Sequence, residues 1–352
     1  MKLPERYPLN GTFELTLRCN LHCKMCMFRH ADTENAAMQA KELSAEQWIS
    51  MAKQAADAGT IGLLLTGGEP LLRKDFAEIY QGIYPLGFLL TIYTNCILVT
   101  PEIMELFQKM PPHRLGITLY GSCNEDYEAV CGCADGFDRA MAGIRQLKTL
   151  PSVLEVRMTL TKDTACKADE IDRIVFEKFG IHPTLSANVF QSVRGGCMDV
   201  ASCRMTPEQT VDATLGRVVA RLEEKIPQEL KGMMRLKTKE HCTQTGENYT
   251  LLGCDAGMKQ YTITYDGRLL GCQMLGAFAT DALAEGLAPA WVRFPTVVSL
   301  PEENPCPDCP LQNQCCICPA VSLAETGRLD GIPTYFCNIT HLSQKRKEDI
   351  RL

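Results

Sequence analysis

Cys19, Cys23 and Cys26 fall within one short run, Leu17-Arg18-Cys19-Asn20-Leu21-His22-Cys23-Lys24-Met25-Cys26. A four-iron cubane takes four ligands, and a loop of this kind can wrap three of its corners, leaving the fourth iron for a substrate. Zinc is the alternative. A structural zinc site closes with four ligands, and no fourth cysteine or suitably spaced ligand stands near, which argues against it.

A second set of cysteines lies towards the carboxy terminus. Cys254 is followed by Cys272, then by Cys306, Cys309, Cys315, Cys318 and a last Cys337. The segment 301–319 is dominated by proline and cysteine, with little apolar material to bury. Bound metal is the usual substitute for a core in such a module. The pairs Cys306/Cys309 and Cys315/Cys318 fit a zinc ribbon as well as iron clusters. Nine further cysteines (Cys96, Cys123, Cys131, Cys133, Cys166, Cys197, Cys203, Cys242 and Cys316) have no such spacing. Most are expected to be buried small hydrophobes, and one could donate a hydrogen atom.

These cysteines need a frame to hold them. From residue 11 to about 188, short β-rich runs alternate with amphipathic stretches, the pattern of repeated βα units and a parallel sheet. Strands are expected at 12–17, 61–66, 89–94, 116–120, 154–160 and 183–188, and helices at 44–58, 75–84, 101–109, 137–147 and 168–179. Ser44 with Gln47 makes a capping box, and Pro101 suits a first helical turn. A further helix is expected at 206–225, a polar lysine-rich connection at 226–248, and a hairpin of 261–265 and 268–271 turning on Asp266-Gly267. The fold class expected is α/β, a partial (β/α)6 TIM-like barrel over 1–225, with a cysteine-rich domain over 226–352. The Cys19–Cys26 run then sits on the loop after the first strand, on the active-site face of a barrel.

The 352 residues can bury a large core. Apolar residues at 45% and charged residues at 22% are near globular averages. The net charge of −6 lacks the basic stripe that nucleic acid requires. The first ten residues carry Pro4, Glu5 and Pro8 and no apolar run, so they do not read as a secretory signal. Apolar runs such as 61–65 and 87–92 are too short for a bilayer. A cytoplasmic protein without membrane or nucleic-acid partners is expected, and there nineteen cysteines point to metal or catalysis rather than disulfides.

With three and then two residues between its cysteines, the first run resembles the motif of the radical S-adenosylmethionine superfamily. The resemblance implies an open iron that chelates the amino and carboxylate groups of S-adenosylmethionine, and one-electron cleavage of its sulfonium to a 5′-deoxyadenosyl radical. Thr66-Gly67-Gly68-Glu69-Pro70 resembles the family's glycine-rich motif, in which Gly67, Gly68 and Glu69 would hold the cofactor's ammonium group. Glycines allow close backbone approach, and a carboxylate matches a cationic amine. Asn95 in Tyr93-Thr94-Asn95, Thr118, Arg157 and Thr159 resemble other positions that contact the cofactor, although such residues on barrel strands equally serve local hydrogen bonding. The family usually has an aromatic residue before the third cysteine to lie against adenine. Here that place is Met25, which can still cover an aromatic face.

The later cysteines, with Gly267, resemble the SPASM extension, which carries two auxiliary four-iron clusters, so that three clusters are implied. The resemblance assigns Cys306, Cys309, Cys315 and Cys337 to one and Cys254, Cys272 and Cys318 to the other. The family spacing has three residues where Cys315 and Cys318 have two, and Cys316 is the alternative ligand. The second set is one ligand short. Some relatives place a ligand where Gln260 stands here, and Cys242 is the alternative that could close the cluster. An open iron could instead take a substrate thiolate, which favours thioether formation.

SPASM enzymes mostly modify ribosomally made peptides or proteins by thioether or carbon–carbon crosslinking, epimerisation or side-chain oxidation. The expected function is therefore peptide maturation. A sulfatase-maturing activity, oxidising a cysteine or serine side chain, is the rival. There the cysteine of the first auxiliary site is followed by an aspartate base, whereas Cys272 is followed by Gln273, and an amide cannot take that proton. A non-catalytic electron-transfer or zinc-binding module is a second rival, against which Glu69 speaks. Implied partners are a peptide or protein substrate and a reductant such as flavodoxin or ferredoxin. Because the barrel begins near residue 11, leader recognition is expected to need a separate leader-binding protein or the barrel itself.

Overall fold

The computed structural model describes residues 6–223, 254–294, 309–311, 315 and 317–350. Cys242, Cys306 and Cys316 and the expected connection at 226–248 lie outside these residues. Six strands, β1 (Asn10–Glu14), β2 (Gly62–Thr66), β3 (Leu89–Thr94), β4 (Arg114–Leu119), β5 (Val153–Thr159) and β6 (Thr184–Ser186), pair parallel in chain order. Each overlaps its expected run, although β6 holds three residues instead of six. Pro183 has no N–H to donate, so the ladder opens only at Thr184.

Helices Ala45–Asp57, Phe76–Ile83, Pro101–Lys109, Gly136–Leu147 and Ala168–Phe179 lie between these strands. Ser44 accepts from the Gln47 backbone N–H at 3.2 Å while the Gln47 side chain accepts from the Ser44 N–H at 2.8 Å, the reciprocal cap that their spacing implies. One strand face is apolar and packs on the helices, where Phe13 meets the fully buried Trp48 with ring centroids 5.0 Å apart. Burial of side chains of this size contributes roughly 1.5–3 kcal/mol each. The alternate positions Thr12, Glu14, Thr66, Tyr93, Thr118, Arg157 and Thr159 share the other face.

The sheet continues past the barrel. Strands β7 (Gln260–Ile263), β8 (Arg268–Leu270) and β9 (Thr280–Asp281) extend it to nine strands, in the order β6-β5-β4-β3-β2-β1-β7-β8-β9. β7 runs parallel to β1, pairing Asn10 with Gln260 and Phe13 with Ile263. The hairpin expected to open the second domain is thus hydrogen-bonded to the barrel edge. Its turn also differs from the expected two-residue form. Thr264 donates to the Arg268 carbonyl at 2.9 Å, and Gly267 takes the left-handed conformation at φ 86°, so three residues make the connection.

Helix Asn124–Cys131 and the carboxy-terminal helices Pro319–Thr326 and Thr334–Asp349 had no expectation from sequence. Thr334–Asp349 has no buried residue and lies on helix Pro207–Glu223, where Tyr335 and Thr210 share a hydroxyl hydrogen bond of 2.9 Å. Among the described residues, no helix is long and apolar enough to cross a membrane.

Candidate functional site

The loop that leaves β1 is fixed at its root by charge. Arg18 gives Nε and Nη2 to the two Glu42 oxygens at 2.8 and 2.9 Å, and Thr16 donates to the same carboxylate. Arg73 joins them while donating to the Leu15 and Leu43 carbonyls at 2.8 Å each. Residues 16–18 are then clamped by the glycine turn after β2. Gly68 donates to the Thr16 carbonyl at 2.7 Å and Glu69 to the Arg18 carbonyl at 2.9 Å. A Cβ on Gly67 would stand 2.1 Å from the Thr16 oxygen, and one on Gly68 2.3 Å from the Arg18 oxygen. The glycines are therefore required by the chain's own backbone leading into Cys19, in addition to any approach by a ligand.

Cys19, Cys23 and Cys26 line one pocket with Gly68 and Tyr120. Burial, with Glu69 nearby, pushes the Cys19 thiol up, and burial with Cys23 pushes Cys26 up to about 11. Cys23 is raised by contact with the Cys131 thiol and by burial. Three thiols that resist ionisation in a dry pocket suit a group whose positive charge would hold them as thiolates. Among the described residues, no three Cys, His, Asp or Glu side chains close on a single metal ion. Zinc would need its sulfurs about 2.3 Å from one point, whereas a cubane binds each thiolate at a separate iron. The donor set fits the cluster.

Glu69 is fully buried beside this pocket. Its oxygens accept from Thr94 Oγ1 at 2.7 Å, the Asn95 N–H at 2.8 Å and the Leu71 N–H at 3.0 Å. All three donors are neutral. Burial dominates and lifts its carboxyl to about 7 despite these bonds. Asn95 reaches back to the cysteine loop, its Nδ2 donating to Asn20 Oδ1 at 2.8 Å.

The other expected cofactor positions divide. Thr118 and Arg157 are directly paired across β4 and β5, and Thr159 lies beside Ser186, all half-buried on the face opposite the helices. Arg157 stacks over the Tyr93 ring at 4.2 Å and donates to Glu155 at 3.0 Å. Met25 is buried in the main apolar core and is not among the residues that wall the cysteine pocket.

The later cysteines fall into two sets of electrostatic neighbours. Cys272 is pushed up to about 11 by burial and by its neighbours Cys318 and Cys254. Cys337 is raised by burial and by Cys315 and Cys309. Gln260, the first residue of β7, is exposed and engaged in its backbone pairing with Asn10. Three features had no sequence signal: Tyr120 on the pocket wall, Cys131 against Cys23, and a cavity of about 510 Å³ lined by Arg194, Arg268, Met274 and Leu323. Arg194 lies in a left-handed conformation at φ 53° and gives both Nη groups to the buried Glu14 at 2.8 Å.

Residues 13–171 match the family described as the Radical SAM superfamily. The AdoMet-dependent heme synthase of Methanosarcina barkeri is 31% identical over 179 residues, 49% of this chain and 50% of that protein. The PqqA peptide cyclase of Rhizobium meliloti is 33% identical over 136 residues, 38% of this chain and 35% of that protein. The match thus spans half or less of these relatives' lengths. In fold, the chain resembles Streptococcus suis SuiB bound to S-adenosylmethionine, with a TM-score of 0.70 at 16% identity, covering 94% of this chain and 77% of that one. It also resembles native anSMEcpe with bound AdoMet, with a TM-score of 0.66 at 15% identity, covering 97% and 98%.

Proposed function

From the match of residues 13–171 to the Radical SAM superfamily, we propose that the protein modifies a residue of a ribosomally synthesised peptide by radical chemistry. Cys19, Cys23 and Cys26 would hold a four-iron cluster whose open iron takes S-adenosylmethionine. When bound, that pair supplies a 5′-deoxyadenosyl radical. Glu69 carries the reading: a fully buried carboxylate, bonded only to neutral donors beside the cysteine pocket, is suited to an ammonium group. Asn95, Thr118, Arg157 and Thr159 are proposed to contact the rest of the cofactor.

The peptide substrate is supported by the relative named PqqA peptide cyclase and by the likeness in fold to SuiB, which is also known bound to its precursor peptide SuiA. The cavity lined by Arg194 and Arg268 gives such a substrate room between the barrel and the carboxy-terminal helix Pro319–Thr326. Cys254, Cys272 and Cys318, and Cys309, Cys315 and Cys337 with Cys306, are proposed to hold two auxiliary clusters. Thioether formation at an open auxiliary iron is the favoured chemistry, over carbon–carbon crosslinking or epimerisation. For the rival oxidation of a cysteine or serine side chain, Gln273 supplies no base. A flavodoxin or ferredoxin is the proposed reductant.

Anaerobic incubation of the reconstituted protein with dithionite and S-adenosylmethionine tests the proposal. The expected product is 5′-deoxyadenosine, lost when Cys19, Cys23 and Cys26 are all changed to alanine. Iron should fall from about twelve to about eight per chain, at four per cluster. Undiminished cleavage in the triple variant would overturn the assignment.

A further inference from the structure

Strand register carries the inner face of the barrel into the cavity that Arg194 and Arg268 line. Thr12 and Glu14 share one face of β1, Thr12 pairs with Thr262, and Thr262 pairs with Leu270. Arg268 stands two residues before Leu270 on β8 and therefore on that same face. The cavity, of about 510 Å³, is walled besides by Val193, Met274, Ala277 and Leu323. Met274 and Leu323 pack in one apolar cluster with Cys272 and Cys318. Arg194 stacks over the ring of Phe28 at 4.5 Å, and Phe28 lines the pocket of Cys19, Cys23 and Cys26. The cavity thus adjoins both cysteine sites.

Its two arginines differ. The Arg194 side chain is 7% exposed and gives both Nη groups to Glu14, so the pair adds little net charge to the cavity. The Arg268 side chain is 44% exposed, and Asp266 takes only its Nε, at 3.1 and 3.3 Å. Asp266 is itself held by the Thr264 hydroxyl, which donates to it at 2.6 Å. Among the described residues, neither Nη group of Arg268 meets an acceptor, nor does the buried Nε of Arg194. A guanidinium anchored through Nε presents its two Nη groups as a fork, which matches both oxygens of a carboxylate. Apolar walls around a few convergent polar groups, in a cavity of this size, are the usual form of a ligand site. We propose that Arg268 is a specificity-determining residue that receives a carboxylate of the peptide substrate, from an acidic side chain or from the carboxy terminus, close to the residue that is modified. The inference rests on the peptide-modifying reading above and narrows it to acidic substrates.

The test uses the full chain, reconstituted anaerobically and saturated with S-adenosylmethionine in the absence of reductant. Equilibrium dialysis compares three acetylated tripeptides: Ala-Glu-Ala amide, Ala-Gln-Ala amide, and Ala-Gln-Ala with a free carboxy terminus. The glutamate peptide, the free-terminus peptide or both should bind roughly tenfold to a hundredfold more tightly than the neutral one. Which of them does so identifies the source of the carboxylate. Arg268→Gln should erase the preference, and Arg268→Lys, which keeps the charge and loses the fork, should reduce it. If Arg268→Gln fails to fold, Arg268→Lys decides, and an undiminished preference there overturns the inference. Equal binding of all three peptides, no binding of any at millimolar concentration, or a preference that survives Arg268→Gln would overturn it, whether or not the protein makes 5′-deoxyadenosine. A preference that depends on Arg268 in a protein that makes none would instead overturn the radical reading and leave the carboxylate site standing.

Discussion

Glu69 concentrates the chemistry of the site in one side chain, because its burial and its neutral partners leave a carboxyl that titrates near neutrality. Raised from the usual 4.5 to about 7, the group favours the ligand-free fold most fully below pH 4.5, and that contribution is lost as the pH climbs through 7. Binding of an ammonium group reverses the preference, since it needs the charged form. Affinity for S-adenosylmethionine should therefore weaken about tenfold per pH unit below 7, as one proton is taken up for each ligand released. Equilibrium binding measured at several pH values checks this, and a flat profile would remove Glu69 from the ammonium site. Glu69→Gln preserves shape and removes charge. It should weaken binding roughly tenfold to a hundredfold, on the order of a charged hydrogen bond, while iron content stays unchanged.

Elements decide where such residues stand. The turn after β2 grips the root of the cysteine loop, and the contact is so close that Gly68 has no room for a methyl group: a Cβ would lie 2.3 and 2.6 Å from the Arg18 and Leu17 carbonyl oxygens. Neither neighbour can yield, being backbone on a segment fixed by the Arg18–Glu42–Arg73 network. Gly68→Ala should then cost about 1–3 kcal/mol, the usual range for overpacking. It should also lower iron bound at the barrel site, because the displaced residues lead directly into Cys19. Thermal unfolding and iron content report the two effects separately. A stable variant that binds iron normally would show that the loop position does not depend on this turn.

Across the whole molecule, the carboxy-terminal helices are fastened to the barrel by a buried ion pair. Arg204 gives Nη1 and Nη2 to Glu325 at 2.9 and 2.6 Å, stacks over Tyr335 at 4.2 Å, and shares its partner with the Gln191 N–H at 3.2 Å. Removing one member of such a pair strands the other charge. Glu325→Ala should destabilise the docking by about 3–5 kcal/mol, more than Glu325→Gln, which can still accept a hydrogen bond. Hydrogen exchange in Pro319–Thr326 and Thr334–Asp349 should rise in the alanine variant and leave β1–β5 protected. Equal protection in both variants would mean that Tyr335 and Phe336 packing alone holds the helices.

The βα alternation, the cysteine spacings and the Gly67-Gly68-Glu69 turn were legible along the chain, because strand and helix periodicity and a three-cysteine loop are local patterns. β6 opened one residue later than its pattern since Pro183 removes a donor, and helix Asn124–Cys131 was missed, its acidic first turn and two-residue apolar end giving little amphipathic signal. Tertiary structure alone decided the rest. Nothing near residue 260 announces that β7 will pair with Asn10–Phe13 and carry the cysteine-rich segment onto the barrel edge. Nothing near Cys131 announces Cys23, and Arg194 finds Glu14 only across 180 residues of sequence. Such partners depend on strand order and on which loops converge at one end of the sheet. Those are properties of packing between distant segments, which no local periodicity encodes.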